Sequence, residues 1–489
     1  MNLRAFFVAA LIVVVLLSAV AGPVSGTVYP VDNSYTLSAF QNFLNTTSDG
    51  DTITFAKGTY YYTDVLVLAN NLTFQSNQSI GATTQNTIID GINNAGNPSE
   101  GIFYNTSSTG AQITNITIKD LTFRNGYSGN ADGGGAIHTY ANTTVISSDF
   151  INDTAPGKNG GGAISIHTYG LLMTVTGSNF TWCSALDGGA LYMSSAGTIM
   201  VNSSSFVNCY GTGNGGAVSA NTQINATFCR FGNTSSGAGD ILHTVAGDIY
   251  APDNWWGTNA PTASMATAGG HLYQDPYLVL GVTAAPVGIT TAQTSAIQAN
   301  LSYDSTGTIA ANNILPDGIP VIFTIVSGPA GSVLSAGQVL TTGHAATSTF
   351  SSPAAGTAQV NASVDGFNVS VNVSVTAASS GGGGGGSRTD YWVKSGTNDV
   401  GYEGTQPTPL GFGPSPTKTI PPTPVTPAMT PVVIPPHPVP VPAPSIADQI
   451  IAAIQAYFAW LVLIVILIVI AVLLRRWWIR RQNPGLFGK

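Results

Sequence analysis

The sequence has few charged residues and few cysteines. Only 7% of its 489 residues are charged, and it contains three cysteines. In residues 27–387 there are 18 acidic residues against five basic ones, which are Lys57, Lys119, Arg124, Lys158 and Arg230. Because binding of nucleic acid requires a basic patch that neutralises phosphates, the composition excludes a nucleic-acid partner. The cysteines lack the spacing of a zinc site, so neither a metal nor a cofactor is predicted.

A helical 3.6-residue pattern is also missing from the central part of the chain, where a Gly-Gly-Ala tripeptide recurs instead. Its alanines, Ala136, Ala163, Ala190 and Ala217, are each 27 residues apart. A constant period of this size with short apolar runs indicates the coils of a solenoid. A second motif, Phe-x-Asn, begins at Phe123, Phe150, Phe206 and Phe231. We therefore predict a parallel β-helix with alanine and phenylalanine inside and asparagine at left-handed corners.

These motifs resemble the repeats of polymorphic outer-membrane proteins, a right-handed β-helix family. Residues 134–137 and 161–164 match its Gly-Gly-Ala-Ile motif, whereas the family's Phe-x-x-Asn motif is one residue shorter here and residues 180–183 lack the asparagine. The resemblance covers residues 113–257. Its last segment, Asn-Trp-Trp-Gly at 254–257, is similar to the closing segment of β-helical surface proteins of methanogenic archaea. The resemblance implies an adhesin-like surface protein without specifying a ligand.

Both ends of the chain carry apolar runs. Arg4 precedes the run 5–20, and Ala19-Val20-Ala21 offers a cleavage site, which predicts a signal peptide, with an uncleaved anchor as the alternative. Residues 456–474 are uncharged and long enough, at ~1.5 Å per residue, to cross most of a ~30 Å hydrocarbon core. Four arginines follow, so the positive-inside rule predicts a single-pass type I protein with an extracellular ectodomain. The absence of a Leu-Pro-x-Thr-Gly sortase motif before the span favours an archaeal source.

Between these ends the pattern changes twice. Leu37, Phe40, Phe43 and Leu44 share one helical face, which predicts a helix that covers the open end of the solenoid. From residue 278 the Gly-Gly-Ala period gives way to alternating strands with an Asp365-Gly366 hairpin signal.

Residues 342–366 resemble the immunoglobulin-like modules of invasin-type proteins, which implies a spacer. Beyond residue 377, a run of six glycines and the proline-rich segment 407–444 predict an extended stalk.

The predicted fold class is all-β: a right-handed parallel β-helix followed by an immunoglobulin-like β-sandwich, a disordered stalk and one C-terminal transmembrane helix. In chain order the predicted parts are a signal peptide at 1–26, the β-helix at 27–277, the sandwich at 278–377, the Gly/Pro-rich stalk at 378–445, the membrane helix region at 446–475 and a cytoplasmic tail at 476–489.

Few residues suggest chemistry. Cys183 and Cys209 are 26 residues apart and are expected to stack on adjacent coils, either as a disulfide or, as we favour, as buried free thiols, with Cys229 offset. Ile-His-Thr-Tyr occurs at His138 and again at His167, and His243 echoes it. The histidines are 29 residues apart in a 27-residue period, so repeat duplication explains them better than a functional pair.

Because many right-handed β-helices cleave acidic polysaccharides, an enzyme is the alternative class. Such chemistry requires two carboxylates near one bond, or a calcium cluster with a basic residue. The candidate acids are Asp120, Asp132 and Asp187, of which the last two precede glycines as turn-forming aspartates do. No catalytic residue is therefore predicted, and a polysaccharide lyase or hydrolase remains the alternative.

Fifteen Asn-x-Ser/Thr sequons occur between residues 45 and 372. They fit a glycosylated ectodomain, although an Asn- and Thr-rich repeat also generates them by chance. The candidate positions are Asn45, Asn71, Asn105, Asn142, Asn202, Asn233, Asn300, Asn361 and Asn368. The sequence thus predicts a membrane-anchored, adhesin-like or protective display protein without catalytic activity, whose expected partners are the membrane and the glycans or surfaces of other cells.

Overall fold

The computed structural model describes residues 26–92, 101–105, 114–130, 133–157, 160–168, 170–310 and 314–378. All of them belong to one compact unit, Met1–Arg388. Among these residues no helix has the length and apolarity needed to span a membrane. The predicted signal peptide up to residue 25, the stalk beyond residue 378, the membrane helix and the tail lie outside the described residues.

Four parallel sheets form a β-solenoid, which confirms the predicted parallel coils. Sheet 1 has ten strands: Val28–Val31, Thr52–Phe55, Leu72–Ser76, Asn115–Lys119, Asn142–Ile146, Leu171–Thr176, Gly197–Asn202, Gln223–Thr227, Ile249–Tyr250 and Leu272–Tyr273. Sheet 2 has seven: Gly58–Tyr61, Thr87–Asp90, Thr122–Arg124, Asp149–Ile151, Asn179–Thr181, Ser205–Val207 and Arg230–Gly232. Sheet 3 has eight: Leu66–Val67, Phe103–Tyr104, Ile137–Thr139, Ile164–Ile166, Leu191–Met193, Val218–Ala220, Leu242–Thr244 and Ala266–Thr267. Sheet 4 has four: Thr154–Ala155, Ser184–Ala185, Tyr210–Gly211 and Ser235–Ser236.

The alanines of the repeat are buried and lie in register. Ala163 donates its N–H to the carbonyl oxygen of Ala190 at 2.9 Å, and Ala190 donates to Ala217 at the same distance. The preceding glycines allow the close approach of coils: a Cβ atom on Gly189 would lie 2.0 Å from the carbonyl oxygen of Gly216. Gly188 has a φ of +70°, a conformation that glycine adopts without steric cost. The tripeptide is therefore fixed by backbone packing.

The phenylalanines of sheet 2 form a stack through the interior. Phe150, Phe180 and Phe206 are fully buried, with ring centroids 4.9 Å apart at each step and nearly parallel planes. Phe231 continues the stack, and Trp256 ends it at a centroid distance of 5.0 Å. The predicted inward aromatic column is confirmed, and it supplies a large share of the buried apolar surface.

The corner that follows each of these strands is left-handed, as predicted. Asn125, Asn152, Asn208 and Asn233 have φ values between +49° and +57°. Asparagine tolerates this region better than most residues because its short polar side chain bonds locally. The coil of Phe180 places Trp182 at the same corner with a φ of +59°.

The N-terminal end of the solenoid is closed by the helix Leu37–Leu44, which Thr36 caps through its side chain. Phe40 and Leu44 are buried, while Leu37 and Phe43 pack against the core, so the predicted covering helix is confirmed. Short 3₁₀ helices occur at Gln78–Ile80, Thr84–Asn86 and Ala263–Met265. The strand Val28–Val31 precedes the covering helix and extends sheet 1, which the sequence analysis did not predict.

The C-terminal described residues form two sheets around a separate apolar core. One sheet contains Leu278–Ala285, Thr294–Asp304, Ala345–Ser351 and Val333–Leu334. The other contains Gly288–Thr290, Phe367–Thr376, Gly356–Val364, Pro320–Ser327 and Gln338–Leu340. Asp365 and Gly366 form the predicted hairpin, with φ values of +52° and +82° and Val364 paired with Phe367. We call these residues the C-terminal module.

The solenoid and the C-terminal module are joined at adjacent tryptophans. Trp256 packs in the solenoid core, whereas Trp255 packs in the core of the module. Asp365 accepts hydrogen bonds from Trp255 Nε1 at 2.9 Å and from the Arg230 guanidinium at 3.0 and 2.5 Å. A Cβ atom on Gly232 would lie 2.5 Å from Asp365 Oδ1, so a side chain there would displace the contact. The hairpin turn of the module is therefore anchored on the last strand of sheet 2.

Candidate functional site

A groove lies between sheet 2 and the C-terminal module. It has a volume of about 470 Å³. One wall is formed by outward residues of four successive strands of sheet 2, and the other by residues 316–320 of the module. We call it the junction groove. Clefts between domains are frequent ligand sites because two surfaces can contribute polar groups to one concave space.

The solenoid wall of the groove consists of two rows. Asp149, Asn179, Ser205 and Arg230 are paired in register in one row, and Ile151, Thr181 and Val207 in the other. Each residue of either row stands directly before or after the buried phenylalanine of its strand. Because successive side chains of a strand point to opposite faces, the residues of both rows point outward. The wall therefore offers polar groups on one side and a more apolar strip on the other.

Several polar groups in the first row have unused hydrogen-bonding capacity. Asn179 Nδ2 donates to Asp149 Oδ1 at 2.8 Å, which leaves Asp149 Oδ2 and Asn179 Oδ1 without a partner within the described part of the chain. Burial raises the pKa of the Asp149 carboxyl group, and the hydrogen bond from Asn179 partly offsets this. Arg230 is already paired with Asp365, so it does not bring a free positive charge to the groove.

Trp182 directly follows Thr181, which lines the groove. It is 60% exposed and stands at the corner where the four coils with Phe-x-Asn have asparagine. A bulky residue in the left-handed region is uncommon and marks strain or function.

The candidate acid Asp120 lies in a different place, at a corner between sheets 1 and 2. It borders two hollows of about 210 and 320 Å³ and accepts a hydrogen bond from Gln78 Nε2 at 2.7 Å. Burial raises the pKa of its carboxyl group, and the charge of Lys119 opposes the shift. No second acid is among the described residues that line either hollow. The structure therefore gives Asp120 no carboxylate partner there.

Asp187 has a structural role. Its Oδ1 accepts hydrogen bonds from the backbone N–H and the side-chain Nδ2 of Asn214, both at 3.0 Å. These bonds link the turns of neighbouring coils. Asp132, the third candidate acid, lies outside the described residues.

The histidines do not form one site. His138 is in register with Ser165, so His167 is offset as expected, although the two imidazole rings are 5.1 Å apart. His167 Nε2 lies 2.5 Å from Ser165 Oγ. His243 Nδ1 lies 2.9 Å from Asp240 Oδ2 on a later coil. The described residues contain no group of three possible metal ligands.

All three cysteines are buried free thiols, which confirms the favoured interpretation. Cys183 and Cys209 donate to the carbonyl oxygens of Phe150 and Phe180 on the preceding coils, at 3.6 and 3.4 Å. Burial raises the pKa of the Cys183 thiol well above its usual value and that of Cys229 to about 12. The Cys183 and Cys229 thiols are therefore protonated in the folded protein, and burial shields all three cysteines from reagents.

The candidate glycosylation positions differ in exposure. Asn45, Asn233 and Asn368 are exposed, whereas Asn105 is buried and its side-chain oxygen accepts a hydrogen bond from the Tyr140 N–H. The remaining candidates are partly buried: Asn71, Asn142, Asn202, Asn300 and Asn361. Glycosylation stays a prediction, and the three exposed positions fit it best because their side chains are accessible.

Sequence reasoning missed the junction groove. Its two walls come from segments separated by more than 80 residues, and no local pattern connects them. The one available signal was Trp182, which breaks the Phe-x-Asn pattern.

No protein-family model matches the chain, and no curated protein matches it significantly. Solved structures that are similar to part of it include two from Intimin. The D0-D1 domain of Intimin is 26% identical over 20% of this chain and 50% of that chain, with a TM-score of 0.17. The D00-D0 domain of Intimin is 24% identical over 22% of this chain and 50% of that chain, with a TM-score of 0.16. The chain thus spans about half the length of each structure, and TM-scores this low support no inference about function.

Proposed function

We propose that this chain is a membrane-anchored, adhesin-like or protective display protein of the cell surface, a single-pass type I protein with an extracellular solenoid. One observation carries the proposal: the solenoid is anchored on a second β module through Trp255 and the Arg230–Asp365 pair. In the sequence, this body stands before a proline-rich segment and an apolar run that ends in four arginines. A solenoid joined to a second β module and followed in the sequence by such segments suits the presentation of a surface.

Within this proposal the C-terminal module is an immunoglobulin-like spacer. Its support is the pair of sheets around one apolar core and the two-residue hairpin at Asp365-Gly366. The relation to polymorphic outer-membrane-protein repeats and an archaeal source belong to the same proposal, and they rest on the sequence motifs.

We also propose that this protein has no catalytic activity. Glycoside hydrolysis usually needs two carboxylates about 5–9.5 Å apart. Among the residues that the structure describes, no acid besides Asp120 lines its hollows, and Asp187 bonds to the turn of the next coil. These environments favour structural roles for both residues over the lyase or hydrolase alternative.

The membrane topology can be tested by cell fractionation. We expect the full chain to stay with membranes and to lose its ectodomain when intact cells are treated with protease, whereas a chain that ends at Ser445 should be secreted. Full-length protein found soluble in the cytoplasm would rule out the proposed topology.

The display role can be separated from the enzymatic one with the full-length protein. We expect no depolymerisation of pectin or alginate, with or without calcium, together with measurable attachment to cells or glycan surfaces. Release of reducing or unsaturated sugars that disappears in a folded Asp120→Ala or Asp187→Ala variant would establish the enzyme instead.

A further inference from the structure

We propose that the junction groove, together with Trp182, is a binding site for a neutral oligosaccharide. This inference rests on the proposed surface function and names the chemical class of its ligand. The groove provides a concave space of about 470 Å³, and Trp182 provides an exposed aromatic surface next to one of its lining residues, Thr181.

The identity of residue 182 is the first argument. Asparagine occupies this left-handed corner in the four coils that carry Phe-x-Asn, and Trp182 takes the same backbone conformation. The indole is 60% exposed, so burial in the core does not explain the exception. A residue that is unfavourable for the backbone and contributes little to packing is expected where the side chain serves binding.

The chemistry of the groove is the second argument. Asp149 Oδ2 and Asn179 Oδ1 are available as acceptors, and the hydroxyl groups of Thr181 and Ser205 make no hydrogen bond within the described residues. Carboxylate, amide and hydroxyl groups pair with sugar hydroxyls, which both donate and accept hydrogen bonds. Ile151 and Val207 supply the apolar contacts for the C–H faces of a sugar ring.

The charge of the groove decides between classes of glycan. Asp149 and Asp317 line it, while the positive charge of Arg230 is neutralised by Asp365. A uronate or another anionic sugar would meet uncompensated negative charge there, and desolvation would make the repulsion stronger. A neutral oligosaccharide meets no such penalty. The length of the groove also suits more than one sugar, because it follows four strands that are spaced about 4.8 Å apart.

The test uses the full-length protein and immobilised oligosaccharides of defined composition. The neutral probes are cello-, chito-, laminari- and manno-hexaose, and the anionic probe is oligogalacturonate. We expect at least one neutral probe to bind and oligogalacturonate not to bind. In Trp182→Asn the affinity should fall at least about tenfold, as for a central aromatic contact. The melting temperature of this variant should stay equal or rise, since asparagine is the residue of the other corners.

Two further variants guard against misfolding and indirect effects. Ile151→Arg places a long side chain in the groove from a position that is already exposed, and it should also weaken binding. Tyr61→Asn is the matched control: Tyr61 is 59% exposed and lies in the same outward row of sheet 2, four strands from Thr181. The Tyr61→Asn substitution should leave the affinity for the neutral probes unchanged.

Several outcomes would overturn the site. These are no binding of any neutral probe up to millimolar concentration, equal binding of oligogalacturonate, unchanged affinity in Trp182→Asn, or a loss in Tyr61→Asn as large as that in Trp182→Asn. Cell attachment by the wild type that persists in Trp182→Asn would refute the groove and retain the display role. Absence of attachment by the wild type would refute the adhesive form of the display role.

Discussion

Asp365→Asn should destabilise the contact between the solenoid and the C-terminal module. Asp365 is 3% exposed and Arg230 12% exposed, so water screens their charges little. Asparagine keeps the shape of the side chain and tolerates the φ of +52°, but it removes the charge and one acceptor from Arg230 and Trp255. Loss of one partner of a buried ion pair typically costs about 3–5 kcal/mol. Because the amide retains one acceptor oxygen, we expect about 3 kcal/mol, the lower end of this range.

Sheet 2, which contains Arg230, also contains a second arginine–aspartate pair that serves as a control. Arg124 pairs with Asp90 through one contact of 2.6 Å, and its side chain is 36% exposed. Asp90 is only 6% exposed, but Asn125 Nδ2 and the Ile92 N–H also donate hydrogen bonds to its carboxylate, so it keeps partners when Arg124 is lost. Because water reaches Arg124, Arg124→Gln should lower the free energy of unfolding by about 1 kcal/mol, less than Asp365→Asn does. The comparison separates the effect of burial from that of losing an arginine.

The assay is denaturant-induced unfolding of the full-length protein, completed by a double-mutant cycle of Arg230→Gln and Asp365→Asn. Residues in direct contact give coupling energies of about 0.5–3 kcal/mol, and we expect the upper half of that range here. A coupling energy below about 0.5 kcal/mol, or an Asp365→Asn effect equal to that of Arg124→Gln, would refute the proposed anchor.

Three further predictions concern the solenoid interior. Ala190→Asp should abolish folding or cost more than about 4 kcal/mol, because it brings an unpaired carboxylate into the alanine stack; an unchanged melting temperature would contradict the register. Burial raises the pKa of Asp153 well above its usual value, with the Gly126 N–H opposing and Asp90 adding to the shift. Because the pKa of Asp153 is higher in the folded state than in the unfolded state, its protonated form stabilises the fold. That stabilisation is fully present below the ordinary pKa of about 3.9 and is lost as the pH rises towards the folded-state pKa. The free energy of unfolding of Asp153→Asn, measured by urea titration between pH 4 and 8, should therefore exceed that of the wild type increasingly as the pH rises, and a pH-independent difference would disprove the effect. The three cysteines, all buried, should react with a thiol reagent only after denaturation, and rapid native-state labelling at pH 8 would contradict their burial.

The parts of the fold that repeat could be predicted from the sequence because each coil imposes the same local demands. The glycine positions leave no room for a side chain between stacked backbones, the alanine that follows is fully buried, and the Asn position requires a left-handed corner. Residues that satisfy such demands recur at one period, so the pattern reports the register directly. The hairpin at Asp365-Gly366 was predictable for a related reason, since two-residue turns of this type need positive φ at both positions.

The elements at the ends of the solenoid could not be predicted in this way. Val28–Val31 is a four-residue strand without a repeat motif, and its pairing with Thr52–Phe55 depends on where the covering helix turns the chain. The two tryptophans at 255 and 256 read as one motif, yet their side chains point into different cores. Alternation of direction along an extended chain explains the difference, but only the presence of the module gives Trp255 a core to enter.

The candidate site shows the same limit most clearly. Asp149, Asn179 and Ser205 look like ordinary outward residues of three coils, and nothing in their spacing distinguishes them from the outward residues of other coils. Residues 316–320 turn this row into a groove, and they belong to the module that contacts the solenoid through Asp365 and through the Ile314 carbonyl oxygen, which accepts a hydrogen bond from Ser203 Oγ. A departure from the repeat was nevertheless visible at Trp182. Most residues of a solenoid repeat because each coil requires them. The fold therefore does not explain an exposed residue that breaks the repeat. Such positions are therefore the first ones to test for function.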